Sequence, residues 1–181
     1  MPDTNQQYND IIAACEKLFV DKTKDYGTSW RILRTASLTD QIFIKANRIR
    51  TLQEVGEAKV AENLDDAFMA IVNYSAMALI QLELSDDAPL ELTLDEAHAH
   101  YRAKVDETRD LMLRKNHDYG EAWRDMRVSS LTDLILMKLL RIKQIENNSG
   151  ATRVSEGVAS NYQDILNYAV FALIHLNETA A

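Results

Sequence analysis

The chain has 181 residues, of which 46% are hydrophobic and 27% are charged, a composition typical of a folded globular protein and not of a disordered one. Five glycines and two prolines are too few for the many tight turns of an all-β sandwich or barrel, so the composition favours long helices. The formal net charge of −8 argues against a protein that binds nucleic acid, because phosphate-backbone binders are usually basic on at least one face.

The cysteine content and the apolar runs indicate the compartment. The single cysteine, Cys15, excludes an internal disulfide and a cysteine-based zinc site, and it fits a reducing environment. The N-terminus lacks a basic region followed by an apolar run, so we expect no signal peptide. The most apolar stretch, 67–80, is shorter than the roughly 20 residues that a membrane span needs. We therefore expect a soluble cytoplasmic protein with no membrane partner.

Two halves of the chain repeat each other. Residues 25–49 and 118–142 share 14 of 25 positions at a constant offset of 93, and shorter matches such as Asn73-Tyr74 with Asn167-Tyr168 follow at an offset of 94. Pro89, the only proline inside the chain, lies between the repeats. We therefore place repeat 1 (copy one) at 1–88 and repeat 2 (copy two) at 89–181, packed together as one globular unit.

Each copy predicts three long helices and a short helical turn that holds a tryptophan. We expect the first long helix over 5–24 and 94–117, the second to end near 54 and 146, and the third over 61–84 and 154–178. Two copies of such a unit can bury their wide apolar faces against each other, as a homodimer does across a two-fold axis. The predicted fold is an all-α bundle of two tandem three-helix repeats with internal pseudo-two-fold symmetry.

Local signals set the expected ends of these helices. Thr93 to Glu96 forms a capping-box pattern ahead of the first helix of copy two. Ser37-x-x-Asp40 and Ser130-x-x-Asp133 predict capped starts of the two second helices. Gly27 and Gly120 follow the first helices and predict left-handed stops.

An Asp-Tyr-Gly-x-x-Trp-Arg block is the first candidate binding segment. It places Asp25, Tyr26, Gly27, Trp30 and Arg31 in copy one and Asp118, Tyr119, Gly120, Trp123 and Arg124 in copy two. One interpretation is a helix stop with aromatic packing and an Asp–Arg pair. The other is a loop whose aromatic ring, guanidinium and carboxylate recognise a base, a phosphate and a ribose hydroxyl.

Two lysines lie inside apolar stripes. Lys45 and Lys138 fall among the regularly spaced apolar residues of the second helices, and Arg48 and Arg141 follow three residues later. A lysine on a buried face must snorkel, pair with a carboxylate or meet an anionic ligand. Because the pattern recurs in both copies, an anion site and a structural role both stay open.

A polar stripe runs along the third helix of each copy. It comprises Glu156, Ser160, Asp164 and Asn167 in copy two and Glu62, Asp66, Ala70 and Asn73 in copy one. One interpretation of the stripe is a Mg²⁺ site at Glu156 and Asp164, because carboxylate oxygens are the ligands that Mg²⁺ prefers. The other is an ion-pair ledge for Lys45 or Lys138 of the other copy, which is favoured because two carboxylates and an amide are few ligands for a metal ion. The exchange of Asp164 for Ala70 predicts that the two sites differ and that copy two is the more competent.

These motifs together resemble the nucleotide modification associated domain 1 family, an all-helical family of bacteria and phages whose function is unknown. The resemblance rests on the two Asp-Tyr-Gly-x-x-Trp blocks, the Lys45/Arg48 helix and the Asp164-x-x-Asn167-Tyr168 ending, and it covers both copies. Copy one departs at Ala70, where the family pattern has an acid. The resemblance implies an association with nucleotide-modifying enzymes.

A more distant likeness is to the all-α nucleoside triphosphate pyrophosphohydrolases, which hold Mg²⁺ with acidic pairs on two helices. Glu54-x-x-Glu57 and Glu62-x-x-Asp65 match the letters of that pattern. They lie too close together to face each other across two helices, and copy two lacks both pairs. The catalytic set of that family is therefore not transferred to this chain.

Two hypotheses follow. In the first, the protein binds or processes a nucleotide or other phosphate-bearing small molecule. Lys138, Arg141 and Arg124 then hold phosphates, Trp123 or Tyr119 packs on a base, and a Mg²⁺ ion at Glu156 and Asp164 supports phosphate-ester hydrolysis by polarising the phosphate and orienting water. In the second, it is a non-catalytic scaffold or interaction protein with a buried ion-pair network. The sequence leaves open whether the protein is an enzyme and whether it forms an oligomer.

Overall fold

The computed structural model describes residues 2–56, 63–152 and 157–180. Six long helices lie in this part of the chain, and no strand does. They are α1 (Thr4–Tyr26), α2 (Thr35–Val55), α3 (Leu64–Glu83), α4 (Leu94–Tyr119), α5 (Val128–Asn147) and α6 (Val158–Ala180), with 3₁₀ turns at Ser29–Ile32 and Ala122–Asp125. The prediction of an all-α protein is confirmed. Positions 61–62 and 154–156, where the third helices were expected to begin, lie outside the described residues.

The helix starts follow one prediction and depart from another. Thr93 caps α4 as expected, since its side-chain oxygen accepts a hydrogen bond from the Glu96 amide at 3.1 Å. The caps expected at Ser37 and Ser130 are wrong. α2 and α5 begin two residues before these serines, and no side chain caps either helix. In each copy a 3₁₀ turn with a buried tryptophan lies just before the next helix.

Glycines end α1 and α4. The Gly27 amide donates to the Thr23 carbonyl at 2.8 Å, and the Gly120 amide donates to the Asn116 carbonyl at 2.9 Å. Gly120 is left-handed as predicted, with φ 62° and ψ 33°, whereas Gly27 combines φ 64° with ψ −149°. That conformation is essentially restricted to glycine. A side chain at Gly27 would also come within 2.7 Å of Glu91 Oε1.

The bundle is built from both copies. α3 packs along α6 and α2 along α5, so helices of copy one contact their own counterparts in copy two. Within each copy α2 contacts α3 and α5 contacts α6, while α1 and α4 contact each other and both third helices. The fully buried side chains include Phe68 and Ile71 of α3 and Ile165 and Leu166 of α6. Among the described residues, no helix combines the length and apolar character needed to cross a bilayer.

Hydrogen bonds across the copies reveal the pseudo-two-fold axis. The Tyr8 hydroxyl donates to Asn167 Oδ1 at 2.7 Å, and the Tyr101 hydroxyl donates to Asn73 Oδ1 at 2.8 Å. Tyr8 and Tyr101 are 93 positions apart, and Asn73 and Asn167 are 94 apart, so one bond is the counterpart of the other. All four side chains are buried. The two copies are therefore joined by the same polar contact made twice.

Candidate functional site

A pocket of about 570 Å³ lies in copy one. Residues of α1, the first 3₁₀ turn, α2 and α3 line it. Its aromatic side chains are Phe19, Tyr26, Trp30 and Tyr74, and its charged side chains are Lys22, Lys45 and Asp66. Pockets of this volume, with mostly apolar walls and a few polar groups, are typical of small-molecule sites.

Aromatic rings form one part of the pocket wall. Trp30 is buried and packs at a tilt against Phe19, with 6.2 Å between the ring centroids. Trp30 Nε1 is buried and has no acceptor among the described residues. Tyr26 and Ile32 are each 71% exposed. The pocket therefore combines an ordered indole with apolar side chains that are accessible to a ligand.

Charged groups reach the pocket from three helices. Lys22 of α1 is exposed and makes no ion pair with any described residue, while Lys45 of α2 is half-buried. Asp66 of α3 is exposed, and Ala70 lies one helical turn further along α3. Two lysines and one aspartate therefore share a pocket with four aromatic rings.

Copy two fills the corresponding position with its own carboxylate. Asp164, the counterpart of Ala70, places Oδ1 2.7 Å from Lys115 Nζ and Oδ2 2.9 Å from Lys138 Nζ. Lys115 and Lys138 are the counterparts of Lys22 and Lys45, each 93 positions further along the chain. The Asp164 side chain is only 7% exposed. Lys138 is thus largely inaccessible, with a side chain 13% exposed, and it is paired, as its apolar stripe indicated, but its partner comes from its own copy and not from the other one.

Trp123 and Arg124, the predicted base and phosphate contacts, lie in internal contacts. Trp123 stacks on Phe171 with 4.2 Å between centroids and 4° between planes. The Arg124 guanidinium lies 4.5 Å from the Trp123 ring centroid and donates to Thr4 at 2.6 Å and Gln7 at 2.7 Å. Both side chains fasten the second 3₁₀ turn to neighbouring helices.

Arg31 has a similar internal role in copy one. Its guanidinium is buried and donates to the carbonyls of Pro89 at 3.2 Å and Ala88 at 3.3 Å, and to the side chain of Gln81. These bonds tie the first 3₁₀ turn to α3 and to the segment between the copies. The aspartate–arginine pair expected within the block is absent among the described contacts of Arg31 and Arg124.

The remaining candidate residues differ in their exposure and in their hydrogen bonds within the protein. The exposed residues are Asp25, Asp118, Tyr119 and Arg141. Arg48 is half-buried and is outside the described lining of the pocket. The Asn167 amide donates to the Thr108 carbonyl at 3.2 Å and accepts from Tyr8, so both of its polar atoms bond within the protein.

The predicted magnesium ligands are only partly described. Glu156 lies outside the described residues, as do Glu57 and Glu62 of the pyrophosphohydrolase-like pattern. Asp164 gives one oxygen to each of two lysines, an arrangement that does not fit a cation. Within 2–56, 63–152 and 157–180, no three His, Cys, Asp or Glu side chains are grouped as metal ligands. A magnesium site stays a prediction, and no chemical step is derived from one.

Lys22 is a charged pocket residue that sequence reasoning missed. It lies on an exposed surface of α1, outside any apolar stripe, so hydrophobic periodicity gives it no distinction. Two signals could have found it: the offset of 93 pairs it with Lys115, and it lies one helical turn before Tyr26.

Comparison with known proteins identifies the family. A family model described as "Nucleotide modification associated domain 1" matches residues 22–82 and 115–176, which together are more than half of the chain. The chain belongs to this family, and the two matched segments bear out the tandem duplication. No curated protein and no solved structure matches the chain.

Proposed function

We propose that this protein binds a nucleotide, or another phosphate-bearing small molecule, in the pocket of copy one. The observation that carries the proposal is the exchange of one side chain between the copies. Copy two places the Asp164 carboxylate against two lysines, whereas copy one places Ala70 beside a pocket lined by the two equivalent lysines. An anionic group of a ligand in this pocket could occupy the position that corresponds to the Asp164 carboxylate, because position 70 carries only a methyl group.

The chemistry of the pocket suits the parts of a nucleotide. Lys22 and Lys45 offer ammonium donors to phosphate oxygens, and such charge-assisted bonds are stronger than neutral ones. Trp30, Tyr26 and Tyr74 offer aromatic surface to a base. The Asp66 carboxylate can accept hydrogen bonds from ribose hydroxyls or from an exocyclic amine.

The alternative of a non-catalytic scaffold is favoured for copy two. Asp164, Arg124 and Asn167 all use their polar atoms on neighbouring parts of the protein. We propose that copy two serves the fold while copy one binds the ligand. Hydrolysis of a bound nucleotide stays a prediction, and a product assay in the same samples, with and without Mg²⁺, tests it.

The test rebuilds the copy-two arrangement in copy one. Wild type, Ala70→Asp and Ala70→Asn are titrated with a panel of nucleoside phosphates in a calorimeter and in thermal melts. A ligand at about 100 times its Kd stabilises the wild type by about 2.7 kcal/mol. In Ala70→Asp the new carboxylate should bridge Lys22 and Lys45 and abolish this stabilisation. Ala70→Asn is nearly the same size without the charge and should retain more of the binding.

Two results would contradict the proposal. One is a wild type that binds no member of the panel. The other is an Ala70→Asp variant that binds as tightly as the wild type, since the ligand would then not occupy the position of the carboxylate.

A further inference from the structure

We infer that the pocket of copy one holds a planar aromatic ring of its ligand against Trp30 and Met77. The pocket then takes nucleotides in preference to phosphate-bearing molecules that have no ring. This inference rests on the proposed function for the place of the ligand, and it narrows the class of that ligand. Its evidence is the ring that copy two places on the equivalent tryptophan.

Copy two packs a ring of its own on its tryptophan. The Phe171 ring of α6 lies nearly parallel to the Trp123 indole, with 4.2 Å between the centroids and 4° between the planes. This is a stacked aromatic pair, and both side chains are buried. The tryptophan of copy two thus packs against a flat ring that the chain itself supplies.

The third helix bonds to the tryptophan turn in both copies. Gln81 Nε2 of α3 donates to the carbonyls of Arg31 at 2.9 Å and Leu33 at 2.7 Å. Its counterpart in α6 is His175, whose Nε2 lies 3.0 Å from the Trp123 carbonyl. The two third helices are therefore held against their tryptophan turns by residues at equivalent positions.

Met77 takes the place of Phe171 in copy one. The two residues are counterparts at an offset of 94, and each lies four positions before the residue that bonds to the turn. Residues four positions apart share one face of a helix. Met77 is half-buried and lines the pocket together with Trp30. The pocket of copy one therefore reaches both the indole and the residue that replaces the phenyl ring.

The side chains around Trp30 suit a ring that comes from a ligand. The described ring contact of Trp30 is with Phe19, at 6.2 Å between the centroids and a tilt of 53°. Met77 has a flexible, polarisable side chain that makes favourable contacts with aromatic rings, and Tyr74 lines the same pocket. A planar ring among these side chains would provide in copy one the stacking that Phe171 provides in copy two.

The first test compares ligands with and without a ring. The full chain is titrated calorimetrically with the mono- and triphosphates of adenosine, guanosine, cytidine, uridine and thymidine. Ribose 5-phosphate and tripolyphosphate are the ring-free probes. Because stacking on an aromatic side chain contributes strongly to the binding of a base, we expect both probes to bind about tenfold to a hundredfold more weakly than the best nucleotide.

The second test rebuilds the copy-two ring in copy one. Met77→Phe should weaken the best nucleotide by more than about tenfold, because the phenyl ring takes the place of the base. Met77→Leu changes the volume little and adds no ring, so it should weaken binding much less. Phe171→Met is the matched control in copy two and should leave the affinity unchanged. Circular dichroism shows whether each variant is folded.

A fluorescence measurement does not depend on the folding of Met77→Phe. In Trp123→Phe, Trp30 is the only tryptophan, so its emission reports on the pocket of copy one. A base that packs on the indole should change this emission when the best nucleotide is added. Ribose 5-phosphate at the same concentration should leave it unchanged.

The outcomes separate this inference from the proposed function. If a ring-free probe binds as tightly as the best nucleotide, the ring inference is overturned while the proposed function stands. The ring inference is also overturned if folded Met77→Phe binds as tightly as the wild type, or if Phe171→Met weakens binding equally. A nucleotide that binds without changing the Trp30 emission overturns it as well. If neither the nucleotides nor the ring-free probes bind, both proposals fail.

Discussion

The two copies surround equivalent lysines with different side chains. In copy two Lys115 and Lys138 close on the carboxylate of Asp164, and in copy one Lys22 and Lys45 line a pocket beside the methyl group of Ala70. The packing of the tryptophans differs as well. Trp123 stacks on Phe171, whereas the counterpart of Phe171 beside Trp30 is Met77, which lines the pocket. The side chains around the equivalent lysines and tryptophans therefore differ between the copies.

One set of buried contacts between the copies is the same in both directions. The tyrosine–asparagine bonds occur once in each direction with distances of 2.7 and 2.8 Å. This buried contact is therefore the same in both copies, whereas positions 70 and 164 carry different side chains. Variants at the tyrosine–asparagine contacts and variants at the pocket should therefore have separate effects.

The largest effect on stability is expected at the shared interface. Asn73→Ala or Asn167→Ala leaves a buried tyrosine hydroxyl and a backbone carbonyl without their partner, which should cost about 2–4 kcal/mol of unfolding free energy. Urea unfolding followed by circular dichroism measures this cost. Asn47→Ala, on the exposed surface of α2, is the control and should change stability by less than about 0.5 kcal/mol. A loss of stability in only one of the two variants would contradict the equivalence of the copies at this interface.

A smaller effect is expected at the filled pocket. Asp164→Asn removes the charge that pairs two lysines, one of them 13% exposed and the other 43% exposed. We expect a loss of about 1–3 kcal/mol, because one cation is left buried and the other can reach water. Asp66→Asn in copy one should be close to neutral in unfolding experiments, because Asp66 is exposed. Equal losses in the two variants would show that the Asp164 pairs do not stabilise the fold.

The smallest effect concerns another position at which the copies differ. Gln53 of α2 donates to Thr132 at 3.1 Å, whereas its counterpart Glu146 of α5 accepts from Thr39 at 3.3 Å. Burial, opposed by the Thr39 hydrogen bond, raises the pKa of Glu146. The folded state then binds the proton more tightly than the unfolded state, so the stability contributed by protonated Glu146 is present below its ordinary pKa and lost as pH rises through the raised pKa.

Glu146→Gln, which copies Gln53, tests this pH dependence. The variant should flatten the decrease of stability between the ordinary and the raised pKa of this carboxyl group. The change should stay below about 1 kcal/mol, because the group is half-buried and screened by solvent. The comparison uses denaturant midpoints measured across that pH range for wild type and variant. If the midpoint changes with pH in the same way for both proteins, Glu146 is not the group that titrates.

Much of the fold was accessible from the sequence, because it depends on local and repeated signals. The offset of 93, the glycines after α1 and α4, and the Thr93 cap are visible without a structure. The starts of α2 and α5 were not, since these helices begin without a side-chain cap and the serine patterns pointed to later positions.

The candidate site was only partly accessible. Tyr26, Trp30 and Lys45 were singled out and line the pocket, but Lys22 was not. Arg31, Arg124 and Asn167 have the chemistry of ligand-binding residues, yet they bond to other helices. Periodicity along one helix does not specify which neighbouring helix a polar side chain meets. For the same reason the acid at position 164 suggested a metal ligand, whereas the structure gives it two lysine partners.

The most direct test of the central claim uses the two tryptophans. The chain has only Trp30 and Trp123, one in each copy, so a ¹H–¹⁵N spectrum of the indole groups reports on both copies at once. Trp123→Phe assigns the two signals. Titration with the nucleoside phosphate that binds should shift the Trp30 signal and leave the Trp123 signal in place, and Ala70→Asp should abolish the shift. A ligand that shifts Trp123 and leaves Trp30 unchanged would contradict the account.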